Sequence, residues 1–221
     1  MVLVAKRNNF INHAFSLYTF FGVFYCRINL LLFFMNELEE GDVILCPPHQ
    51  PSLFKKFACW LTQSKFQHIA VIVDIEGTLC MCHFVHPNDS LYIGKRIANS
   101  DLVLDSLKVL QNHKRFKVYK GVFERHSTEF DRHACYNEQS SLHNTCLRVA
   151  INHHYDDNHI ISYITKRSPP KYYHCFSYMS ALLESITGKQ FSKMPGTLER
   201  ELDKLYDIHI IQIRSNQYKR I

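Results

Sequence analysis

The stretch SKFQHIAVIVDIEGTLCMCHFVHP, residues 64–87, has the pattern of a β-hairpin. Two apolar runs flank the pair Glu76-Gly77, and a two-residue turn of this kind joins antiparallel strands. Counting back from this turn places Ile75 opposite Thr78 and fixes the register of the whole hairpin. The stretch therefore predicts two paired, largely buried strands.

Each strand of the predicted hairpin carries a histidine, His68 in the first and His83 in the second. Because side chains alternate between the two faces of a strand, the register puts both histidines on one face as diagonal neighbours. Their Cα atoms should lie roughly 7–8 Å apart, which allows the imidazoles to hydrogen-bond. One histidine can then act as a general base while the other fixes its tautomer. Cys80 and Cys82 face the opposite side and are predicted to be core.

Cys175 is the predicted nucleophile. Two prolines at 169 and 170 break the preceding segment, and apolar residues at helical spacing then continue to Gly188, which supplies a C-terminal stop. Cys175 therefore lies at or just before the first turn of a helix, where backbone N–H groups favour the thiolate and should lower the thiol pKa. The structural alternative is that Cys175 is a small buried apolar residue and His68 a hydrogen-bonded histidine in a sheet.

The remaining segments alternate between strand and helix patterns. A short apolar strand ends at Pro47-Pro48, and residues 51–63 have Phe54, Phe57, Ala58 and Leu61 at the spacing of an amphipathic helix. The other predictions are a short helix within 100–113, a strand at 115–122, a helix within 140–157, and a helix followed by a strand within 194–213.

Four quoted segments carry a resemblance to a known family. EEGDVIL (39–45), SKFQHIAVIVD (64–74), a strand with a polar residue, and YYHCFSYMSALLESITG (172–188) occur in that order. This order resembles the circularly permuted, papain-like branch of the NlpC-type cysteine peptidase superfamily, in which the histidine precedes the cysteine. The tail MPGTLERELDKLY is similar to the proline-led segment after the family's cysteine helix. The resemblance covers roughly residues 40–212.

The resemblance implies an α+β, papain-like, circularly permuted NlpC-type fold, with an antiparallel sheet or small barrel packed against helices. It implies Cys175 as nucleophile, His68 as base and His83 as the third, orienting residue, without a metal or a cofactor. Many permuted members have glutamate at the third position, so His83 is a departure from their pattern. A neutral imidazole can nevertheless accept a hydrogen bond from His68.

The implied activity is that of a cysteine hydrolase or acyltransferase, which forms an acyl-enzyme from a peptide or lipid acyl substrate. The chain most resembles the uncharacterised members of poxviruses and other large DNA viruses, which implies a location in the host cytoplasm or the virion. The alternative is a catalytically inactive papain-like fold that serves as a viral host-interaction module.

Composition sets limits on the class of protein. The 221 residues include eight scattered cysteines and carry a net charge of +6. Scattered cysteines are typical of free thiols in a reducing compartment, and lysines and arginines spread along the chain do not indicate nucleic-acid binding. This length suits one domain, predicted to span residues 35–221.

Residues 1–34 form a predicted hydrophobic N-terminal extension or signal anchor. Residues 14–26 carry no charge, but Arg27 and Asn29 interrupt the apolar segment before it reaches the length of a spanning helix. The two interpretations stay open, and membrane association is expected through residues 10–34.

A zinc site is a further alternative for the hairpin. Cys80, Cys82, His83 and His86 lie within seven residues, and thiolate and imidazole both suit zinc. One flat strand cannot bring all four to one ion, because the two cysteines face away from His83.

Overall fold

The computed structural model of the chain describes residues 37–48, 52–97, 99–113, 115–123, 142–156 and 171–212. Within these residues the strands are β1 Val43–Cys46, β2 His68–Ile75, β3 Thr78–Phe84, β4 Lys95–Arg96, β5 Leu102–Ser106, β6 Arg115–Tyr119, β7 His154–Tyr155, β8 Tyr172–Tyr173 and β9 Ile208–Gln212. The helices are α1 Leu53–Thr62, the 3-10 helix Leu107–Asn112, α2 Leu142–Ala150, α3 Cys175–Thr187 and α4 Pro195–Leu205.

The predicted hairpin lies near the middle of a seven-stranded sheet with the order β4-β5-β3-β2-β1-β6-β9. Every neighbouring pair in this sheet is antiparallel. Ile75 pairs with Thr78 and Val71 with Cys82, so the register predicted from the sequence is confirmed. Strands β7 and β8 form a separate parallel pair.

The short helix predicted within residues 100–113 is partly wrong, because its first half is strand β5. Leu102 packs into the core on the helix side of the sheet, whereas Val103 packs on the other side. Leu102, Val103 and Leu104 are consecutive apolar residues because this strand is covered on both faces, and such a run does not show the alternation of a half-exposed strand. Its second half is the 3-10 helix, whose N-cap Ser106 accepts a hydrogen bond from the Lys108 N–H.

The two faces of the sheet are covered differently. Helix α3 packs against β2, β3 and α2 on one face, in a core that includes Val71, Phe84 and Met179. On the opposite face a smaller cluster joins Val103 to Tyr92, which lies in the segment between β3 and β4. His68 and His83 lie on this second face, as the register predicts, and Cys82 lies in the helix-side core.

Helix α1 corresponds to the amphipathic helix predicted within residues 51–63. Ser52 caps its N-terminus by accepting a hydrogen bond from the Lys55 N–H, and Gln63 ends it in a left-handed conformation with φ of 53°. Phe57 belongs to the predicted apolar pattern, yet it is 51% exposed. The apolar spacing therefore predicted the helix but not which side chains it buries.

The fold class is α+β, with an open antiparallel sheet and packed helices rather than a closed barrel among the described residues. The elements from Leu38 onward belong to one compact unit. Residues 1–34 lie outside the described residues, so their role as an extension or anchor stays a prediction. Within the part that is described, no helix is long and apolar enough to cross a bilayer.

Candidate active site

Three polar side chains form a row across three neighbouring strands. His68 is the first residue of β2, His83 lies on β3, and Asp105 lies on β5. His68 Nε2 is 2.5 Å from His83 Nδ1, and His83 Nε2 is 3.0 Å from Asp105 Oδ2. His83 and Asp105 are buried, so their polar groups depend on these contacts rather than on water. The pairing of two histidines is thus extended by a carboxylate.

The partners assign the tautomers of both imidazoles. The carboxylate of Asp105 accepts a hydrogen bond, so His83 carries its hydrogen on Nε2 and presents an unprotonated Nδ1. That Nδ1 accepts a hydrogen bond from His68 Nε2. His68 is left with an unprotonated Nδ1, which is the atom that can accept a proton. The row therefore leaves His68 with an unprotonated nitrogen, which its predicted role as a base requires.

Tyr92 holds the plane of the His68 ring. The two rings are stacked with centroids 4.5 Å apart and an interplanar angle of 26°. Tyr92 also meets the His83 ring edge to face at 4.7 Å, and its hydroxyl is 3.4 Å from His113 Nε2. Aromatic contacts of this kind restrict rotation of the His68 side chain.

Cys175 is the first residue of α3, where the sequence places it. His174 is the N-cap and has an extended backbone, so the helix begins at the next residue, Cys175. Its Nδ1 accepts from the Ser177 N–H, and its own N–H donates to Ser177 Oγ, which completes a capping box. The Cys175 thiol lies 3.6 Å from the backbone oxygen of Gln67, the residue before His68. The N-terminus of α3 therefore meets the start of β2.

The expected lowering of the Cys175 pKa is wrong. Burial raises the pKa of this thiol to about 12, and the backbone N–H groups of Ile69, Phe176 and Cys175 offset only part of that effect. Cys175 is 4% exposed as a residue, so loss of hydration outweighs the effect of the helix N-terminus on the thiol pKa.

Burial also lowers the pKa of His68 well below 6.5, and the nearby His83 and His113 lower it further. The pKa of His83 is lowered by burial as well, although Asp105 opposes the shift. At neutral pH the site therefore holds a thiol and a neutral imidazole rather than a thiolate and an imidazolium.

His68 and Cys175 line one cavity of about 520 Å³. Tyr92, His113 and His174 contribute further polar groups to its wall, and Phe66, Phe176 and Pro195 contribute apolar surface. His83 is not part of this lining and lies behind His68. The predicted nucleophile and base are thus brought to one space, and the third predicted residue supports the base from inside the sheet.

A second cavity of about 700 Å³ adjoins the first and shares Pro47, Pro48, Phe66 and His113 with it. Its wall includes four basic residues, Lys65, Arg115, Lys117 and Arg200. Of these, Lys117 forms ion pairs with Glu199 and Asp203. Glu199 and Asp203 line this cavity as well, so its wall has four basic and two acidic side chains and a net positive charge.

The donors considered for a zinc site lie on different faces of β3. Cys82 packs in the helix-side core near Cys146 and Tyr178, whereas His83 points to the opposite face. Among the described residues, no group of three or more histidine, cysteine or acidic side chains has the arrangement of a metal site. The six cysteines described, at 46, 59, 80, 82, 146 and 175, are all free thiols.

Two site residues were missed from the sequence, Asp105 and Tyr92. Asp105 lies in LVLDS, a segment whose pattern predicts the start of a helix, so the sequence does not indicate that Asp105 lies next to His83. A carboxylate inside an otherwise apolar run was the available signal, since a buried acid needs a partner. Tyr92 lies outside regular structure, and its spacing to the histidines carries no signal.

Comparisons with known proteins identify no family for this chain, so the site is interpreted from its geometry. No protein-family model matches the chain, and a search of curated proteins finds no relative.

Proposed function

We propose that the protein is a cysteine hydrolase or acyltransferase with a circularly permuted, papain-like NlpC-type fold. The observation that carries the proposal is the shared cavity: the thiol of Cys175 and the imidazole of His68 line the same space, and His83 and Asp105 fix the tautomer of that imidazole. The order of base before nucleophile along the chain also fits the permuted arrangement.

In the proposed mechanism, Nδ1 of His68 accepts the proton of the Cys175 thiol as the sulfur attacks an acyl carbonyl carbon. Proton transfer must accompany attack, because the raised thiol pKa and the lowered imidazole pKa disfavour a preformed ion pair. The carbonyl oxygen gains negative charge, and the backbone N–H groups at the start of α3 are suitable donors to it.

Collapse of this intermediate breaks the bond to the leaving group, which takes the proton from the His68 imidazolium and departs. A thioester between Cys175 and the acyl group remains. Water or another acceptor then attacks the thioester, His68 removes its proton, and the thiol is regenerated. Water gives hydrolysis, whereas an alcohol or amine gives acyl transfer. The bond attacked is an amide or a lipid acyl bond.

The decisive experiment is labelling with acyl and peptide electrophiles, followed by site identification by mass spectrometry. We expect Cys175 to react faster than the other seven cysteines, Cys175→Ala to abolish the dominant adduct, and His68→Ala to slow its formation. Cys59→Ala is the matched control, because Cys59 is a partly exposed thiol on α1. Equal labelling rates at all cysteines near neutral pH would contradict the proposal.

Two observations favour a second candidate, an inactive papain-like fold that binds a host protein as a viral interaction module. The Cys175 thiol is nearly inaccessible and its pKa is raised to about 12, both of which suit a buried structural cysteine. This candidate predicts stable complexes with a host protein that survive Cys175→Ala and His68→Ala unchanged. Either function is consistent with a location in the host cytoplasm or the virion.

A further inference from the structure

Helix α1 exposes an apolar stripe beside the mouth of the thiol cavity. Leu53, Phe57 and Trp60 lie at i, i+4 and i+7 on one side of the helix, and they are 85%, 51% and 73% exposed. The rings of Phe57 and Trp60 lie 5.8 Å apart and form one continuous apolar surface. Single exposed apolar residues are ordinary, but three on one helix face mark an interaction surface.

The charged residues of α1 and of the segment that follows it are all basic, and Glu199, which accepts a hydrogen bond from Ser64 Oγ, is ion-paired with Lys117. Residues 43–73 contain no aspartate or glutamate and carry Lys55, Lys56 and Lys65. Lys65 also contributes to the basic wall of the second cavity, together with Arg115 and Arg200. An apolar stripe bordered by cations is complementary to a surface with an apolar interior and an anionic outer layer.

The opposite side of the same helix faces the cavity. Lys55, Ala58 and Thr62 line it, at i, i+3 and i+7. Because one helix presents its outer face to solvent and its inner face to the cavity, whatever binds the outer stripe lies beside the cavity that contains Cys175.

We propose that α1 is a docking surface for bilayers that contain anionic lipids. Leu53, Phe57 and Trp60 enter the boundary between headgroups and acyl chains, where indole and phenyl rings are favoured. Lys56 and Lys65 contact the anionic headgroups around them. The cavity is thereby held at the membrane surface. This inference concerns binding and does not depend on the chemistry of Cys175.

Trp60 provides the measurement, because it is the single tryptophan of the chain. Purified full-length protein is titrated with phosphatidylcholine vesicles in which about a third of the lipid is phosphatidylserine. We expect the emission of Trp60 to shift to shorter wavelength and to be quenched by bromine on the acyl chains. Vesicles of phosphatidylcholine alone should give a weaker response.

Variants then assign the binding to α1. Leu53→Ser combined with Phe57→Ser keeps the reporter and should weaken partitioning by at least about tenfold. The matched control is Ile151→Ser with Leu205→Ser, since these two side chains are 58% and 50% exposed and line neither cavity. The control should bind like the wild type, and both double variants should keep the wild-type rate of Cys175 labelling in solution.

Three results would overturn the proposal. The first is an unchanged Trp60 spectrum with anionic vesicles, and the second is equal partitioning of the wild type and the α1 variant, which would assign binding to another segment such as residues 10–34. The third is a shift of Trp60 emission on raising the protein concentration without vesicles, which would assign the stripe to contact with a second copy. If Cys175 of the wild type is not labelled faster than the other cysteines, that result counts against the proposed enzyme and leaves the proposed docking surface unaffected.

Discussion

Replacement of Asp105 by asparagine tests whether the row of polar side chains activates His68. The carboxylate accepts a hydrogen bond from the buried His83 and so fixes the tautomers of both imidazoles. Asparagine has nearly the same shape but no charge, and its amide can also donate to His83 Nε2. If the amide donates to His83 Nε2, His83 carries its hydrogen on Nδ1 and donates it to His68 Nε2. His68 then carries its own hydrogen on Nδ1, and this nitrogen can no longer accept the proton of the thiol.

The magnitude follows from the loss of one charged hydrogen bond. A hydrogen bond to a charged group contributes about 1.5–3 kcal/mol, and about 1.4 kcal/mol corresponds to a factor of ten in rate. If this stabilisation supports the imidazolium that forms on His68, Asp105→Asn should slow labelling of Cys175 by about 10- to 150-fold.

The assay is the rate of Cys175 modification by an acyl electrophile at several pH values. Asp42→Asn is the matched control. Asp42 is a buried carboxylate that accepts hydrogen bonds from the Lys120 ammonium and the Gly121 N–H. It precedes the first residue of β1, whereas His68 pairs with the last residue of that strand. Thermal unfolding shows which variants are folded. If Asp105→Asn does not fold, Asp105→Glu is tested in its place, because glutamate keeps the negative charge. A folded Asp105→Asn variant with the wild-type rate and pH profile would refute the role assigned to the row.

Three further predictions concern the site and its frame. The pKa of His68 is lowered below 6.5 and that of Cys175 is raised to about 12. The labelling rate of the wild type should therefore stay on a plateau near neutral pH and fall only on acidification below pH 6.5. His68→Ala should lack this plateau and rise about tenfold per pH unit through the alkaline range, since only the thiolate then reacts; a plateau in the variant would exclude His68 as the base. Tyr92→Phe keeps the ring stacked on His68 and should label at nearly the wild-type rate, whereas Tyr92→Ala should be about 2- to 10-fold slower; equal rates for both variants would exclude a positioning role. Gly196→Ala places a Cβ 2.4 Å from the Thr62 backbone oxygen and should lower the free energy of unfolding by about 1–3 kcal/mol, measured by denaturant titration; unchanged stability would show that α4 shifts without cost.

The hairpin and the helix after His174 could be predicted because their signals are local. A two-residue turn fixes the register of β2 and β3, so the shared face of His68 and His83 follows by counting. The start of α3 follows from apolar spacing and its end from Gly188, which has φ of 68°. Short-range patterns of this kind do not depend on what packs against them.

The remaining features depend on tertiary packing. Both faces of strand β5 are covered, so its sequence lacks the alternation that identifies strands and predicts a helix instead. The thiol pKa was predicted in the wrong direction because a helix N-terminus is visible in the sequence, whereas the burial that outweighs it is not. Phe57 has the spacing of a buried residue but lies on the outer face of α1.

The sequence distances within the site imply an order of assembly during folding. His68 and His83 are separated by 15 positions, while the Cys175 thiol and Gln67 are separated by 108. Closure of a short loop is faster and loses less chain entropy than closure of a long one, so the histidine pair should form before the thiol reaches it. A nascent chain that has emerged only as far as β5 would already contain His68, His83 and Asp105. Its nucleophile would still be unsynthesised, so the reactive combination should arise only when the last third of the protein has folded onto the sheet.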